Sequence, residues 1–281
     1  MNLPRSPLAD ACSFLFVPAT QPERYSKALA SGAGGIIIDL EDAVGFDDKP
    51  RARELLKHSW SSISAEQKQR IIIRCNAPGT SFYAADLVLA KELQVKYLMI
   101  PKTESRDHVY GAAEELSNTA FIPMIETPVG LHHLNEIASA QQVLRLALGN
   151  LDMQVELGMS CDENETEIDT ARFMMVLASK LAQIAPPIDG VTPSTDDEAR
   201  IFAHAQKAKR FGFGAKLCIH PKQIPIVKRA FAPSPEEIDW ARRVVAADQA
   251  SKGQAAKVDG KMIDRPVVML ARRILALAGN P

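Results

Sequence analysis

The chain has 281 residues, of which 46% are apolar, and carries 33 Lys and Arg against 34 Asp and Glu for a formal net charge of −1. That length allows one large or two smaller domains with a full core, and the even charge balance argues against a nucleic-acid or other polyanionic partner. No apolar run reaches membrane-span length, and the opening MNLPRSPLADAC lacks the apolar core of a secretion signal.

Short apolar runs recur along the chain, each closing on a polar or turn residue. They are Phe14–Val17, Ile36–Leu40, Ile71–Cys75, Tyr97–Ile100, Phe121–Ile125, Leu144–Leu148, Ile188–Val191 and Leu217–Ile219, which makes eight predicted strands. Between them lie segments of helical period, among them Lys49–His58, Tyr83–Leu93 and Ile168–Ile184. Thr195-Asp196-Asp197-Glu198 and Ser234-Pro235-Glu236-Glu237 both have the spacing of a capping box. The acidic stretch Asp162-Glu163-Asn164-Glu165 reads as a long loop on the catalytic face or a solvated turn, and the run Lys207–Arg210 as the cationic end of a helix.

Strand alternating with helix in this way predicts an α/β fold, a (β/α)8 TIM barrel, over residues 1–232. A doubly wound sheet is disfavoured because Gly32-Ala33-Gly34-Gly35 precedes a strand and does not follow one. Residues 233–281 then form a C-terminal helical extension: a long helix over Glu236–Lys252, a Gly- and Lys-containing hinge near 252–261, and an apolar helix near Val267–Leu277. Cys12, Cys75, Cys161 and Cys218 show no paired or metal-type spacing, which suits a reduced, cytoplasmic protein.

Active sites of such barrels form at the C-terminal ends of the strands. Those ends carry Asp39, Glu41 and Asp42, then Arg74 and Asn76, Lys102, Glu126, Asp152, Thr192 and Ser194, and His220. Carboxylates from three strands beside an arginine and a lysine suit a hard, oxygen-liganded cation such as Mg²⁺ holding an anionic substrate. Glu126 and Asp152 each follow a strand directly and are the first choices as ligands, although either alone also reads as a helix-start acid. The planar fork of Arg74 suits a substrate carboxylate or an enolate oxygen, or else a buried ion pair. Lys102 could form a Schiff base, but the carboxylate set favours metal-assisted carbon–carbon chemistry. No Ser or Cys shows the setting of a nucleophile, and His220 is given no catalytic role.

The motifs as a set resemble the citrate lyase β-subunit-like proteins of the HpcH/HpaI aldolase and malyl-CoA lyase group. They are FLFVP with Pro22-Glu23-Arg24, IIIDLEDAV with Lys49, Arg51 and Arg53, IIIRCN, MIPKTES, PMIETPVG, GNLDMQVELG, GFGAKLCIHPKQI and DGKMIDRPV, in order over nearly the whole chain. The resemblance implies a TIM barrel assembled as a homotrimer, with Mg²⁺ on Glu126 and Asp152 and with Glu41 and Asp42 holding water bound to the metal. It implies that Arg74 contacts substrate and that Asp264 reaches into a neighbouring subunit's site as the base. Departures are Cys12 and Ala19 where many members have Arg and Gly, which bears on the CoA contact, and Met153 after Asp152 where Leu is usual.

The implied activity is cleavage of a 3-hydroxy-acyl-CoA dicarboxylate, such as citramalyl-CoA or malyl-CoA, to acetyl-CoA and a 2-oxo acid. The alternative is a citrate lyase β-like subunit acting on a citryl thioester carried by an acyl-carrier partner. In either case Asp39 is expected to be a supporting acid and not a ligand.

Overall fold

A computed structural model describes residues 6–251 and 256–279. The strands are β1 (Ser13–Pro18), β2 (Gly35–Asp39), β3 (Ile71–Arg74), β4 (Tyr97–Ile100), β5 (Ala120–Ile125), β6 (Ala147–Leu148), β7 (Ile188–Asp189) and β8 (Ala215–Cys218). They pair in parallel and in sequence order, and β8 returns to β1, so the sheet closes into a barrel. Helices alternate with the strands, which makes the unit a (β/α)8 barrel.

The strands are buried along nearly their whole length because both faces are covered, and this is why they read as continuous Ile, Leu and Met runs. Alternate positions serve different layers. Ile37, Ile72, Met99, Ile122 and Leu217 join one common cluster with Phe14 and Leu8. Their neighbours Ile36, Ile38, Ile71 and Ile73 are equally buried but lie outside that cluster, as the period of two along a strand requires.

Three strands differ from the sequence-based expectation by two residues or more at one end. Only Ala147 and Leu148 of the Leu144–Leu148 run form the ladder, although Leu144 still exchanges a backbone bond with Phe121. β7 stops at Asp189 because the amide of Val191 is taken by the Asn150 side chain at 2.9 Å. β8 begins two residues earlier than predicted, at Ala215.

Helices span Lys49–Trp60, Tyr83–Glu92 and Asp169–Leu181. The capping box predicted at Thr195 is corrected: Asp197 caps the helix Glu198–Phe211 by accepting from the Arg200 amide, while the Thr195 hydroxyl turns to Asp196. That helix does end on Lys209 and Arg210. Cys75 and Cys218 are buried and all four cysteines are free. Among the described residues no helix is long and apolar enough to cross a membrane.

The chain divides into two compact units, Met1–Lys228 and Arg229–Pro281. In the second, helix Pro235–Ala250 starts at a complete Ser234/Glu237 capping box and packs on helix Arg265–Ala278 through Ala241, Val244, Val268 and Ala271. The expected hinge is in part a hairpin: β9 (Ala256–Val258) and β10 (Lys261–Ile263) pair antiparallel. They turn on Asp259-Gly260, both at positive φ, the conformation a two-residue hairpin loop demands. Residues 252–255 of that predicted segment lie outside the described residues.

Candidate active site

The site is built at the C-terminal ends of the strands, beginning with Asp39 as the last residue of β2. Asp39 is fully buried, and its two oxygens accept from the amides of Glu41 (2.9 Å) and Ala43 (3.0 Å), which folds the following loop around its carboxylate. The parallel register sets Arg74 beside it, and Nε and Nη2 of Arg74 bond Oδ1 and Oδ2 at 2.7 and 2.6 Å. The guanidinium stacks over Phe16 of β1, 4.7 Å from the ring centre. The buried Lys49 ammonium ties the same loop through the carbonyls of Leu40 (2.8 Å) and Glu41 (2.6 Å).

With Nε and Nη2 committed to Asp39, the remaining nitrogen of Arg74 faces the other two acids. Nη1 lies 2.9 Å from Glu41 Oε2 and 3.5 Å from Asp42 Oδ2. The Glu41 contact is an ion pair without hydrogen-bond alignment, so Oε2 stays a buried acceptor with no donor. Burial pushes the Glu41 carboxyl up to about 8, opposed by Arg74 and reinforced by Asp42, Glu126 and Asp39. Asp42 is exposed.

Glu126 follows β5, and the chain around it is arranged to receive its carboxylate. Lys102 sits at φ +45°, an unusual left-handed setting for a side-chain-bearing residue, and its amide donates to Glu126 Oε1 at 2.7 Å. On the other side stands Gly149, where a Cβ would come within 2.1 Å of Glu126 Oε2. The Gly149 amide bonds the Ile125 carbonyl (3.0 Å), so the ends of β5 and β6 are joined directly behind the carboxylate. Burial raises the Glu126 carboxyl to about 7, the Lys102 amide opposes this, and Asp152 adds to it. Glu126 is not used as a helix cap; Thr127 performs that role by accepting from the Gly130 amide at 3.1 Å.

Asp152 lies in the first turn of helix Asn150–Glu156. Its carboxylate is partly exposed, and Lys102 Nζ approaches to 3.5 Å. The structure therefore brings Glu41, Asp42, Arg74, Glu126 and Asp152 to one end of one barrel, with Lys102 touching both Glu126 and Asp152. Asp264 belongs to the C-terminal unit, where it is exposed and caps the last helix by accepting from the Val267 amide at 3.3 Å.

Sequence reasoning passed over a second buried network, between β6 and β8. Lys216 and Asp189 are register partners, and the ammonium bonds Asp189 Oδ2 at 2.8 Å. Arg172 holds the other Asp189 oxygen at 3.0 Å and Glu165 Oε2 at 2.5 Å. Burial alone would raise the Asp189 carboxyl, but Lys216 and Arg172 hold it below its ordinary value. The signal was present: a charged residue inside an otherwise apolar strand needs a buried partner.

The donor set fits a hard divalent cation. Among the described residues no group of three or more His, Cys, Asp and Glu is placed to hold a metal unaided. A pair of carboxylates is nevertheless what such an ion takes when substrate and water fill its other positions. Two buried carboxyls, Glu126 raised to about 7 and Glu41 to about 8, the latter with one oxygen left without a donor, are the electrostatic complement of an added positive charge.

Comparison with known proteins bears on the family and the fold. Residues 12–221 match the family described as HpcH/HpaI aldolase/citrate lyase. The chain belongs to this family. It is 35% identical over 273 residues to a citrate lyase subunit beta-like protein of Mycobacterium tuberculosis, covering 95% of each chain. It is 32% identical over 269 residues to a (3S)-malyl-CoA thioesterase of Cereibacter sphaeroides, covering 95% of this chain and 94% of that one. Among solved structures, the CitE protein of Mycobacterium tuberculosis in complex with magnesium, acetoacetate and coenzyme A superposes with a TM-score of 0.88 at 33% identity. The match covers 97% of this chain and 100% of that one. As a member of the HpcH/HpaI family, the chain carries an aldolase- or citrate-lyase-type barrel. Its departures separate in space: Cys12 precedes β1 at the opposite end of the barrel, whereas Ala19 follows β1 beside the site, with its amide on the Asp39 carbonyl at 2.9 Å.

Proposed function

We propose that the protein is a Mg²⁺-dependent carbon–carbon lyase that cleaves a 3-hydroxy-acyl-CoA dicarboxylate of the citramalyl- or malyl-CoA kind to acetyl-CoA and a 2-oxo acid. The observation that carries this reading is that the segments bearing Glu126 and Asp152 follow adjacent strands joined by the Gly149–Ile125 backbone bond, with the Glu126 carboxyl buried and raised to about 7 by that burial and by Asp152. Glu126 and Asp152 would hold the cation, which when bound supplies Lewis-acid polarisation of the substrate's carboxylate and hydroxyl oxygens.

The residues of the chain then divide the work. The Lys102 amide keeps Glu126 Oε1 fixed, so the carboxylate presents one orientation to the site. Asp39 holds Arg74 by two nitrogens and leaves Nη1 as the donor for the thioester oxygen, where charge develops as the bond breaks. Asp264, contributed by a neighbouring copy in a homotrimer, would take the hydroxyl proton. The O–H electrons become the carbonyl of the 2-oxo acid, the carbon–carbon pair passes to the thioester enolate, and protonation of that enolate yields acetyl-CoA. Glu41 Oε2, a buried acceptor without a donor, would orient a water near the cation.

Two further readings share the same site. The likeness to a (3S)-malyl-CoA thioesterase favours hydrolysis to free CoA and a hydroxy acid. A citrate lyase β-like role would place a citryl thioester on an acyl-carrier partner. One experiment separates the three: the purified chain with Mg²⁺ is given malyl-CoA, both citramalyl-CoA isomers, citryl-CoA and a citryl-acyl-carrier protein. Release of a 2-oxo acid with acetyl-CoA supports the lyase. Free CoA without a 2-oxo acid, or turnover of the acyl-carrier substrate alone, overturns it.

A further inference from the structure

We infer that Asn150 is a positioning residue for Asp152, fixing where the helix bearing that carboxylate begins; this rests on the reading of Asp152 as a metal ligand. Asp152 is poorly held by its own contacts. It is partly exposed, its recorded partner is the Lys102 ammonium at 3.5 Å, and the helix start that carries it has no side-chain cap. Its position therefore depends on the backbone of the first helical turn, and Asn150 is the first residue of that turn.

Asn150 is 1% exposed and spends its amide on tertiary bonds. Oδ1 accepts from the Val191 amide at 2.9 Å, and Nδ2 donates to the Val191 carbonyl and to Glu165 Oε1, both at 3.1 Å. The side chain thus pairs with the backbone beyond β7 as another strand would, and this ends the β7 ladder. The approach is possible because residue 190 is glycine: a Cβ there would lie 2.1 Å from Asn150 Oδ1. Glu165 is itself immobilised, since Arg172 holds its other oxygen at 2.5 Å and is anchored in turn on Asp189 and, through it, Lys216. The buried network between β6 and β8 therefore ends on the residue two before Asp152. In the preceding residue, Gly149, the absent side chain makes room for Glu126. The Gly149-Asn150 pair accommodates one proposed ligand and aims the other.

The test is Mg²⁺ titration calorimetry on the full chain, with the thermal midpoint recorded without metal. Asp152→Asn is expected to lose Mg²⁺ binding. Asn150→Ala is expected to bind Mg²⁺ roughly ten- to a hundredfold more weakly, the range for groups that orient a ligand. Combined with Asp152→Asn, it should add nothing. Glu165→Gln keeps the shape; if Arg172 takes its single carbonyl, its amide opposes the Asn150 amide. It should weaken Mg²⁺ in the same direction by less, and it serves if Asn150→Ala does not fold. The inference is overturned if Asn150→Ala, or Glu165→Gln in its place, lowers the thermal midpoint yet binds Mg²⁺ as the wild type does while Asp152→Asn has lost it. Undiminished binding by Asp152→Asn overturns the ligand reading itself, and the positioning role with it.

Discussion

Asp39 and Arg74 stand side by side in the β2–β3 register, 35 positions apart in the chain, and their side chains close a two-pronged ion pair at 2.7 and 2.6 Å. Because Asp39 also receives the amides of Glu41 and Ala43, the pair anchors the loop that presents the remaining acids. Arg74 thus divides its nitrogens: Nε and Nη2 bond Asp39, and Nη1 faces Glu41 and Asp42.

Removing Arg74 leaves a fully buried carboxylate without its cation. Arg74→Met is expected to destabilise the barrel by about 3–5 kcal/mol, the cost of breaking a buried pair from one side. Urea unfolding checks it. A loss below about 1 kcal/mol, the value of a surface pair, would contradict the anchoring role.

The pH response follows from the raised carboxyls. The folded chain retains a proton on Glu126 up to about 7, whereas the unfolded carboxyl releases it near the ordinary value of 4.5. The folded state therefore binds more protons in that window, and the contribution of Glu126 to stability falls as pH rises through it. Glu41, raised to about 8, extends the trend upward. A cation needs the deprotonated forms, so Mg²⁺ affinity should rise between about pH 6 and about pH 8, with proton release on binding at the lower value. Calorimetry in buffers of different ionisation enthalpy reads both; a pH-independent affinity without proton release would exclude Glu126 as a ligand.

Glu126→Gln provides the complementary measurement. With the buried charge removed, the metal-free variant should melt no lower than the wild type at about pH 8, because ionising a buried carboxyl is unfavourable. Its stabilisation by added Mg²⁺ should disappear. A normal Mg²⁺-induced shift in melting temperature would show that the cation sits elsewhere.

Gly149→Ala tests the fit of the same carboxylate. The new Cβ would meet Glu126 Oε2 at 2.1 Å, so the carboxylate has to move. Turnover should fall about a hundredfold, as expected for a displacement near 1 Å at a reacting centre. Activity within a few-fold of wild type would mean that the position of Glu126 is not critical.

The proposed role of Asp264 in a neighbour's site makes a distinct prediction. Asp264→Asn should lose turnover while keeping Mg²⁺ affinity, and Glu126→Gln should lose both. Co-assembled, the two inactive chains should recover activity, because some sites receive both intact residues. No recovery would confine Asp264 to its observed work as a helix cap.

Much of this was legible before any coordinates. The alternation of Ile36–Leu40, Ile71–Cys75 and Tyr97–Ile100 with amphipathic helices specified a barrel, because strands covered on both faces must be apolar throughout. Glu126 and Asp152 were read directly after such strands, and the structure has both at the C-terminal end of the barrel. The Thr195 box was misassigned because the helix starts two residues later, with Asp197 accepting from the Arg200 amide, so that Glu198 is its first residue and not its third. The Asp259-Gly260 turn, read as part of a hinge, carried a hairpin signal in its dipeptide.

The amino-acid order by itself determined the strand–helix alternation and the acids at the strand ends, since hydrophobic period and turn chemistry are local properties. Which charge meets which was decided by the tertiary structure. Asp39 with Arg74, Asp189 with Lys216, and Asn150 with the backbone of Val191 are joined by register and barrel closure across 35, 27 and 41 positions. A buried polar group must be satisfied by whatever the fold brings within hydrogen-bond reach, and no local pattern identifies that partner.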